Sequence, residues 1–492
     1  MALIPLKIPA GFFRNGTEFE AAGRWRDGNL VRWLGTSLRP VGGWLERLSS
    51  ATTAAPRGMH TWLEGSGSRW IGLGTYNELK VVSPSGTSYD ITPSGLTAGY
   101  ESAQILTGYG YGTYGSGFYG TERVDVTTPE EATTWTLDNY GSYLVACSNA
   151  DGKAYQWVGN TATAATAITN APTNNLGVFV SEERFLFCLG AGGDPRVVQW
   201  SDQEDITTWT PASTNQAGSQ TLQTSGEIMA AQRGRGATLI FTDIDMHRMT
   251  YVGAPFIYST ERVGTNCGLV ARKAVSTSDA GTFWMGLKSF FFYDGSSVQE
   301  LECEVKDYVF GDINRSQVSK CWATTVGQHG EVWWFYCSSN SSEVDRYVSF
   351  DYKQGYWVTG SLSRTCGVDR GVFRNPIMAT SGGAIYDHES GLDYEGATAF
   401  AETGPFSIGS GEGIVRVNKL IPDELTQGDV TATFKTRLYP NGAETSHGPF
   451  DMANPTSVRF SGRQARMRVE AARPADWRVG VMRVNAIQGG RR

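Results

Sequence analysis

A chain of 492 residues, 12% aromatic and 18% charged, with 15 tryptophans and 21 tyrosines, is a folded protein of two to four domains and excludes a disordered chain. Its net charge of −7 is uneven: Arg459 to Arg492 hold nine arginines against Glu470 and Asp476, a local +7, which leaves −14 on the first 458 residues. An acidic body excludes a protein that grips nucleic acid along its length, and suits a surface past which DNA slides without sticking.

Sixty glycines are spread along the chain and no apolar run recurs at helical spacing, so short strands joined by tight turns are expected throughout. The opening "MALIPLKIPAGFFRNG" carries Pro5 and Lys7, which leave no apolar core long enough for a secretory signal. No stretch approaches the ~18 apolar residues of a membrane-crossing helix. In "LVRWLGTSLRPVGGW" two short strands flank "LGTS", and Pro40 with Gly42-Gly43 blocks their continuation. Residues 1–50 are therefore expected to form an arm with a hairpin.

Seven similar apolar strands follow, each soon succeeded by a turn and another strand. They begin near Ile71 ("WIGLGTYNELKVVSPSG"), Leu144, Leu186, Leu239, Phe283, Val332 and Ile377, at gaps of 73, 42, 53, 44, 49 and 45 residues. All gaps but the first lie close to the roughly 40–50 residues of a four-stranded propeller blade. One such sheet cannot bury both faces alone, whereas radial stacking buries them and ring closure limits exposed edges. The fold class expected is all-β, a β-propeller of six to seven blades over residues 51–400, with stacked β-sandwiches as the competing architecture.

The first gap exceeds the others by about 28 residues and marks an insertion at about 95–135. It contains "GYGYGTYGSGFYG", Gly108 to Gly120, which satisfies a GxGxxG pattern at Gly110, Gly112 and Gly115. A dinucleotide site requires a strand before that pattern and a helix after it, and neither neighbour is helical. No cofactor is expected. Tyrosine gives large contact area at low entropy cost, so Tyr109, Tyr111, Tyr114, Phe118 and Tyr119 are candidates for an interaction or gate loop, against the plainer alternative of a floppy tip.

From about residue 401 to 492 the strands become well separated: "IVRVNKLI", "VTATFKTRLY", "TSVRFSGRQARMRVEAA" and "WRVGVMRVNAI". A small C-terminal β-sandwich is expected, with an arginine-rich outer face that includes Arg463, Arg466 and Arg468. In the third segment Val458 and Phe460 share one parity and Ala465, Met467 and Val469 the other, so a bulge at Ser461-Gly462 is expected to reconcile them.

Chemistry-bearing groups are sparse. Seven cysteines, odd in number and without CxxC spacing, read as reduced buried thiols. In "TDIDMH" the residues Asp243, Asp245 and His247 would share one face of a strand as metal ligands might, but the segment sits where a hairpin must turn, and a turn is the expectation. "HESG" at His388 has Leu392 where a zinc motif needs its second histidine. "SDQEDITTW", Ser201 to Trp209, faintly resembles the Asp-box turn of sialidase-type propellers, with Asp205 where glycine is wanted. The adjacent pair Glu130-Glu131 would diverge in a strand, whereas glycosidase chemistry needs carboxyls facing across a substrate. Neither a catalytic nor a metal site is assigned.

Most of the chain resembles, in order, the nozzle or tail-hub proteins of short-tailed bacteriophages, also called tail tubular protein B or packaged-DNA stabilisation proteins. The resemblance rests on "GRWRDGNLVRWLGTSLRPVGGW", "TTWTLDNYGSYLVAC", "VVQWSDQEDITTWTP", "YVGAPFIYSTERVGTNCGLVARKAV" and "GTFWMGLKSFFFYDGSSVQELECEVKDYVFGDIN". It continues through "DRYVSFDYKQGYWVTG", "AIYDHESG", "TGPFSIGSGEGIVRVNKLIPD" and "VRFSGRQARMRVEAA". It implies a non-enzymatic virion tail protein, assembled in the host cytoplasm. Such a protein forms a hexameric ring below the portal and adaptor that closes the channel on packaged DNA and later lets it out. Partners so implied are other copies of the chain, the tail adaptor, and a fibre, spike or needle at the distal end. Within that setting the Gly/Tyr loop would pack against a neighbour, narrow the channel or meet the distal protein, and the Arg463, Arg466 and Arg468 face would contact a neighbouring subunit or the adaptor. The competing function is a tail spike or receptor-binding propeller that binds or cleaves host glycan.

Overall fold

The computed structural model describes residues 2–104, 130–407, 413–439 and 442–488. Among the described residues are eight four-stranded antiparallel sheets, of which one lies in the sandwich and seven are blades. Six are continuous in sequence, spanning 58–90, 135–167, 177–221, 228–265, 275–300 and 322–361, and are blades one to six. The first strands of neighbouring blades touch in succession around the ring, blade seven returning to blade one. The protein is a seven-bladed β-propeller with a β-sandwich.

The seven recurring apolar segments are the second strands of the seven blades, for a physical reason visible in Tyr143–Ser148. Leu144 and Ala146 point into the core shared with blade one, and Val145 and Cys147 into the core shared with blade three. A strand buried on both faces must read as an unbroken apolar run. Local turn chemistry supports the sheets: Tyr140 pairs with Tyr143 across a two-residue turn whose Gly141 takes φ +64°, as a tight hairpin requires.

Blade seven is composite. It takes three strands from Cys366–Val368, Ile377–Ala379 and Ile385–His388, and its fourth from Trp44–Leu48 near the start of the chain. The first fifty residues are thus woven through the molecule. Strand β1 (Ala2–Leu6) pairs with Met482–Gln488, and β2 (Trp25–Asn29) pairs with Phe400–Thr403. The hairpin of β3 (Val31–Leu34) and β4 (Ser37–Pro40) precedes β5 (Trp44–Leu48), which closes the ring.

The sandwich has one sheet in the order β1, Met482–Gln488, Val415–Ile421, Thr456–Gly462, and a second in the order β2, Phe400–Thr403, Gln464–Ala471, Val430–Arg437, Thr445–Asp451. Here the expected bulge is corrected. Val458 and Phe460 lie in one sheet, Ala465, Met467 and Val469 in the other, and the chain changes sheets at Arg463. All five are buried in one core, and Phe460 stacks on Phe434 across it at 4.6 Å. Two facing sheets each need their apolar side inward, which reverses the parity at the crossing; the register shift on Thr456–Gly462 lies between Ser457 and Phe460, before Ser461-Gly462. Gly462 is required at the crossing, since a Cβ there would lie 2.8 Å from Thr436 Cβ.

The arm fastens the sandwich to the propeller. Phe12, Trp33 and Tyr356 pack edge to face, and Trp33 N–H donates to Tyr356 Oη at 3.0 Å while that hydroxyl donates back to the Trp33 carbonyl at 2.8 Å. Beside them Arg32 of β3 forms a buried pair with Glu331 of blade six at 2.8 Å and with Glu389, just past blade seven's third strand, at 2.6 Å. Gly42 N–H and His329 also engage Glu389, at 3.0 and 3.2 Å. Burial acts to raise the Glu389 carboxyl, and Arg32 and His329 outweigh it, holding it well below the usual carboxylate range.

Candidate axial site and the arginine-bearing sheet

The first strands of the seven blades surround an axial cavity of about 390 Å³. These strands run parallel to one another around the axis, so residues just before each strand collect at one mouth and residues at its far end collect at the other. Arg57, Arg272, Lys273 and Lys320 lie at the leading mouth; His60, Asp138, Arg233 and Asp369 lie towards the trailing one.

At the leading mouth Glu343 receives Arg57 at 2.6 Å and Lys320 at 3.3 Å. Burial alone would raise the Glu343 carboxyl, but the two cations hold it below its ordinary value. Arg272 faces Glu131 at 3.4 Å and Glu227 at 3.7 Å. Across this mouth run the two stems of the insertion. Gln104 and Glu130 pair backbone to backbone, Ala103 exchanges two hydrogen bonds with the Gln317 side chain, and Ala132 N–H donates to Ser319 Oγ. Lys320 Nζ donates to Ser102 Oγ at 3.0 Å, and Arg57 to the Glu101 carbonyl at 3.1 Å.

Towards the trailing mouth Asp138 accepts from Arg233 at 2.7 Å and from Val180 N–H at 2.9 Å. Asp369 accepts from Thr325 Oγ1 and Gly327 N–H, both at 2.9 Å. Each carboxylate is thereby occupied with scaffold groups. His60 bonds Asn139 Oδ1 at 3.0 Å, and burial lowers its proton affinity below that of a free histidine. Burial likewise lowers Lys273 to about 8, with Cys366 and Asp138 opposing the shift. The Lys273 ammonium has no hydrogen-bond or ion-pair partner among the described residues.

Of the residues singled out in the sequence, Tyr109, Tyr111, Tyr114, Phe118 and Tyr119 lie outside the described residues. Arg466 pairs with Glu18, Glu444 and Glu402. Arg468 pairs with Glu470 at 2.7 Å and lies 3.6 Å over the Phe400 ring, while Arg463 covers the Tyr439 ring. Arg466 and Arg468 are successive outward positions on Gln464–Ala471, the central strand of the second sandwich sheet, and Arg463 lies just before it. Asp243 and Ile244 make the turn between blade four's second and third strands, and Asp243 turns away to accept from Glu227 N–H. Asp245 and His247 are buried together at 3.1 Å, with Thr242 and Thr224 hydroxyls also on Asp245. His388 accepts from Arg364 Nε at 2.9 Å. In "SDQEDITTW" Asp205 caps its own turn through Thr207 and Thr208, and Trp209 is buried behind it. Among the described residues no three His, Cys, Asp or Glu side chains converge as metal ligands.

The axial residues His60, Asp138, Arg233 and Lys273 were missed by sequence reasoning. The usable signal is positional: each lies in or just before the strand that precedes a recurrent apolar strand, where one face meets neighbouring blades and the other meets the axis.

No family model and no curated protein matches the chain. Among solved structures it is similar to virginiamycin B lyase from Staphylococcus aureus, at 9% identity and TM-score 0.43, over 70% of this chain and 97% of the lyase. A fungal alcohol oxidase is similar at 12% identity and TM-score 0.40, over 90% and 93%. BamB from Moraxella catarrhalis is similar at 16% identity and TM-score 0.31, over 56% and 81%. These likenesses concern fold alone.

Proposed function

We propose that the chain is a structural subunit of a short bacteriophage tail, the nozzle. Six copies would ring the channel below the portal and adaptor, retain packaged DNA and give it an exit path. The observation that carries the reading is the woven arm. The segment "GRWRDGNLVRWLGTSLRPVGGW", which bears part of the resemblance to nozzle proteins, runs from β2 in the sandwich through the β3–β4 hairpin to the first residue of β5 in blade seven. It joins the two modules through buried aromatic rings and a buried ion cluster, so a load on one is borne by the other. A wall unit around pressurised DNA needs that stiffness; a tethered binding module does not. An acidic body of −14 also suits a conduit, because like charge keeps the duplex from adhering.

The role proposed is non-catalytic, and the axial carboxylates serve the scaffold through Arg233, Thr325 and backbone N–H groups. The test is to mix the purified chain with adaptor-capped portal and image the product by cryo-electron microscopy. A six-membered ring below the adaptor supports the proposal. A stable trimer formed by the chain alone, with no addition to the portal complex, refutes it in favour of a glycan-directed spike.

A further inference from the structure

We infer that the propeller axis holds a binding site for a small oxyanion of the phosphate class, with the Lys273 ammonium as its cation and the Thr134 and Ser276 hydroxyls among its donors. The inference concerns this chain in isolation and does not rest on the tail reading.

The charge census of the cavity wall leads to it. Five cationic side chains line the cavity, Arg57, Arg233, Arg272, Lys273 and Lys320, against the two carboxylates Asp138 and Asp369. Four of the five are matched: Arg57 and Lys320 by Glu343, Arg272 by Glu131 and Glu227, and Arg233 by Asp138. Lys273 alone has no carboxylate within ion-pair distance among the described residues. Asp369, the one carboxylate without a cation, is held by Thr325 and Gly327 instead.

Lys273 belongs to blade five and lines the axial cavity together with Asp138 of blade two, His60 of blade one and Cys366 of blade seven. A half-buried cation without a partner on the cavity wall among the described residues is free to hold an anion through a charge-assisted hydrogen bond. Asp138 cannot do so, because Arg233 and the Val180 N–H already claim it. His60 is disfavoured as a second cation by its burial. The hydroxyls of Thr134 and Ser276 line the same cavity and make no hydrogen bond among the described residues, which leaves them to donate. At about 390 Å³ the space falls within the ~300–1,000 Å³ typical of ligand pockets and accommodates an oxyanion with ordered water.

The test uses the full chain and inorganic phosphate, titrated at pH 7 and followed by 31P line broadening and calorimetry. Saturable one-to-one binding is expected. Lys273→Gln should weaken it roughly tenfold or more, the worth of one charged hydrogen bond, and Lys273→Arg should retain it. Lys288→Gln, which alters an exposed lysine, should leave binding unchanged. Raising the pH from 7 to 9.5 should weaken binding to the native protein, because Lys273 loses its proton near 8. A second readout needs no variant: phosphate should slow reductive methylation of Lys273 relative to Lys288, read by peptide mass. Absence of saturable binding, binding to Lys273→Gln as tight as to the native chain, or methylation of Lys273 indifferent to phosphate would each overturn the inference.

Discussion

Arg32→Met is the sharpest test of how the arm locks the molecule. The Arg32 and Glu331 side chains are each 4% exposed and Glu389 is 10% exposed, so removing the guanidinium leaves two carboxylates with almost no access to water. Breaking a buried pair from one side typically costs about 3–5 kcal/mol. Unfolding entropy of ~2.1 cal/mol/K per residue gives a chain of this length about 1 kcal/mol/K, so a cooperative transition should move down by about 3–5 °C. The sign with pH follows from linkage. In the native chain Glu389 sits well below its unfolded value, so its stabilisation is present above the ordinary carboxylate range and is lost as pH falls through the folded value. In the variant burial dominates and raises the carboxyl, so the deficit should be greatest near pH 7 and shrink towards pH ~4.5. Glu389→Gln should cost less, because Glu331 still holds Arg32. Scanning calorimetry from pH 4.5 to 8, with hydrogen exchange over residues 31–40, measures all of this. A loss under about 0.5 kcal/mol, or one that does not vary with pH, would refute the view that this cluster joins arm and propeller.

Three further outcomes are expected. Gly268→Ala should destabilise by about 1–3 kcal/mol in denaturant melts, because its Cβ would overlap the Asp243 carbonyl oxygen at the junction of blades four and five; a change within 0.3 kcal/mol, roughly the noise of such melts, would mean the backbone yields there freely. All seven thiols are free and buried, and burial pushes each up, Cys267 to about 11, so an aromatic disulfide reagent should label few of them in native protein and all after unfolding; rapid native labelling would contradict the burial. His388, buried and facing Arg364, is held well below 6.5, so its stabilising contribution is present above that pH and lost as pH falls. His388→Gln should flatten the acid-side loss by up to ~1.4 kcal/mol per pH unit below ~6.5, and an unchanged slope would show that this histidine does not titrate on unfolding.

The parts legible in the sequence are those with one dominant physical constraint. Leu144 to Cys147 feed two cores at once and Trp333 to Tyr336 are buried on both faces of their strand, so these strands are apolar throughout and their spacing reveals the blades. The first strands are harder to read: His60 and Asp138 line the axial cavity, and their polarity breaks the apolar pattern. Strand β5 is invisible locally, because its partner strand, which carries Asp387 opposite Leu45, comes about 340 residues later in the chain. The segment "SVRFSGRQARM" shows a third limit. A reversal of parity is the same string of letters whether a strand bulges or crosses to a facing sheet, and only the presence of the second sheet decides.

The arginine-rich end shows why charge along a chain differs from charge on a surface. Nine arginines after position 458 read as a basic patch, yet Arg466 meets Glu18, Glu402 and Glu444, Arg468 meets Glu470, and Arg473 meets Asp429. Most of these carboxylates lie earlier in the sequence, from the arm to the sandwich's first strands, and the fold brings them onto the same sheet. A neighbour that approached Arg466 through an acidic group would exchange one carboxylate for another, gaining orientation more than affinity. Contact energy on that face would have to come from apolar area instead. Leu438 and Tyr439, 48% and 62% exposed, supply it beside Arg463, whose guanidinium already covers the Tyr439 ring. If the sheet meets another subunit, its arginines set the register of the contact while its exposed leucine and tyrosine provide the adhesion.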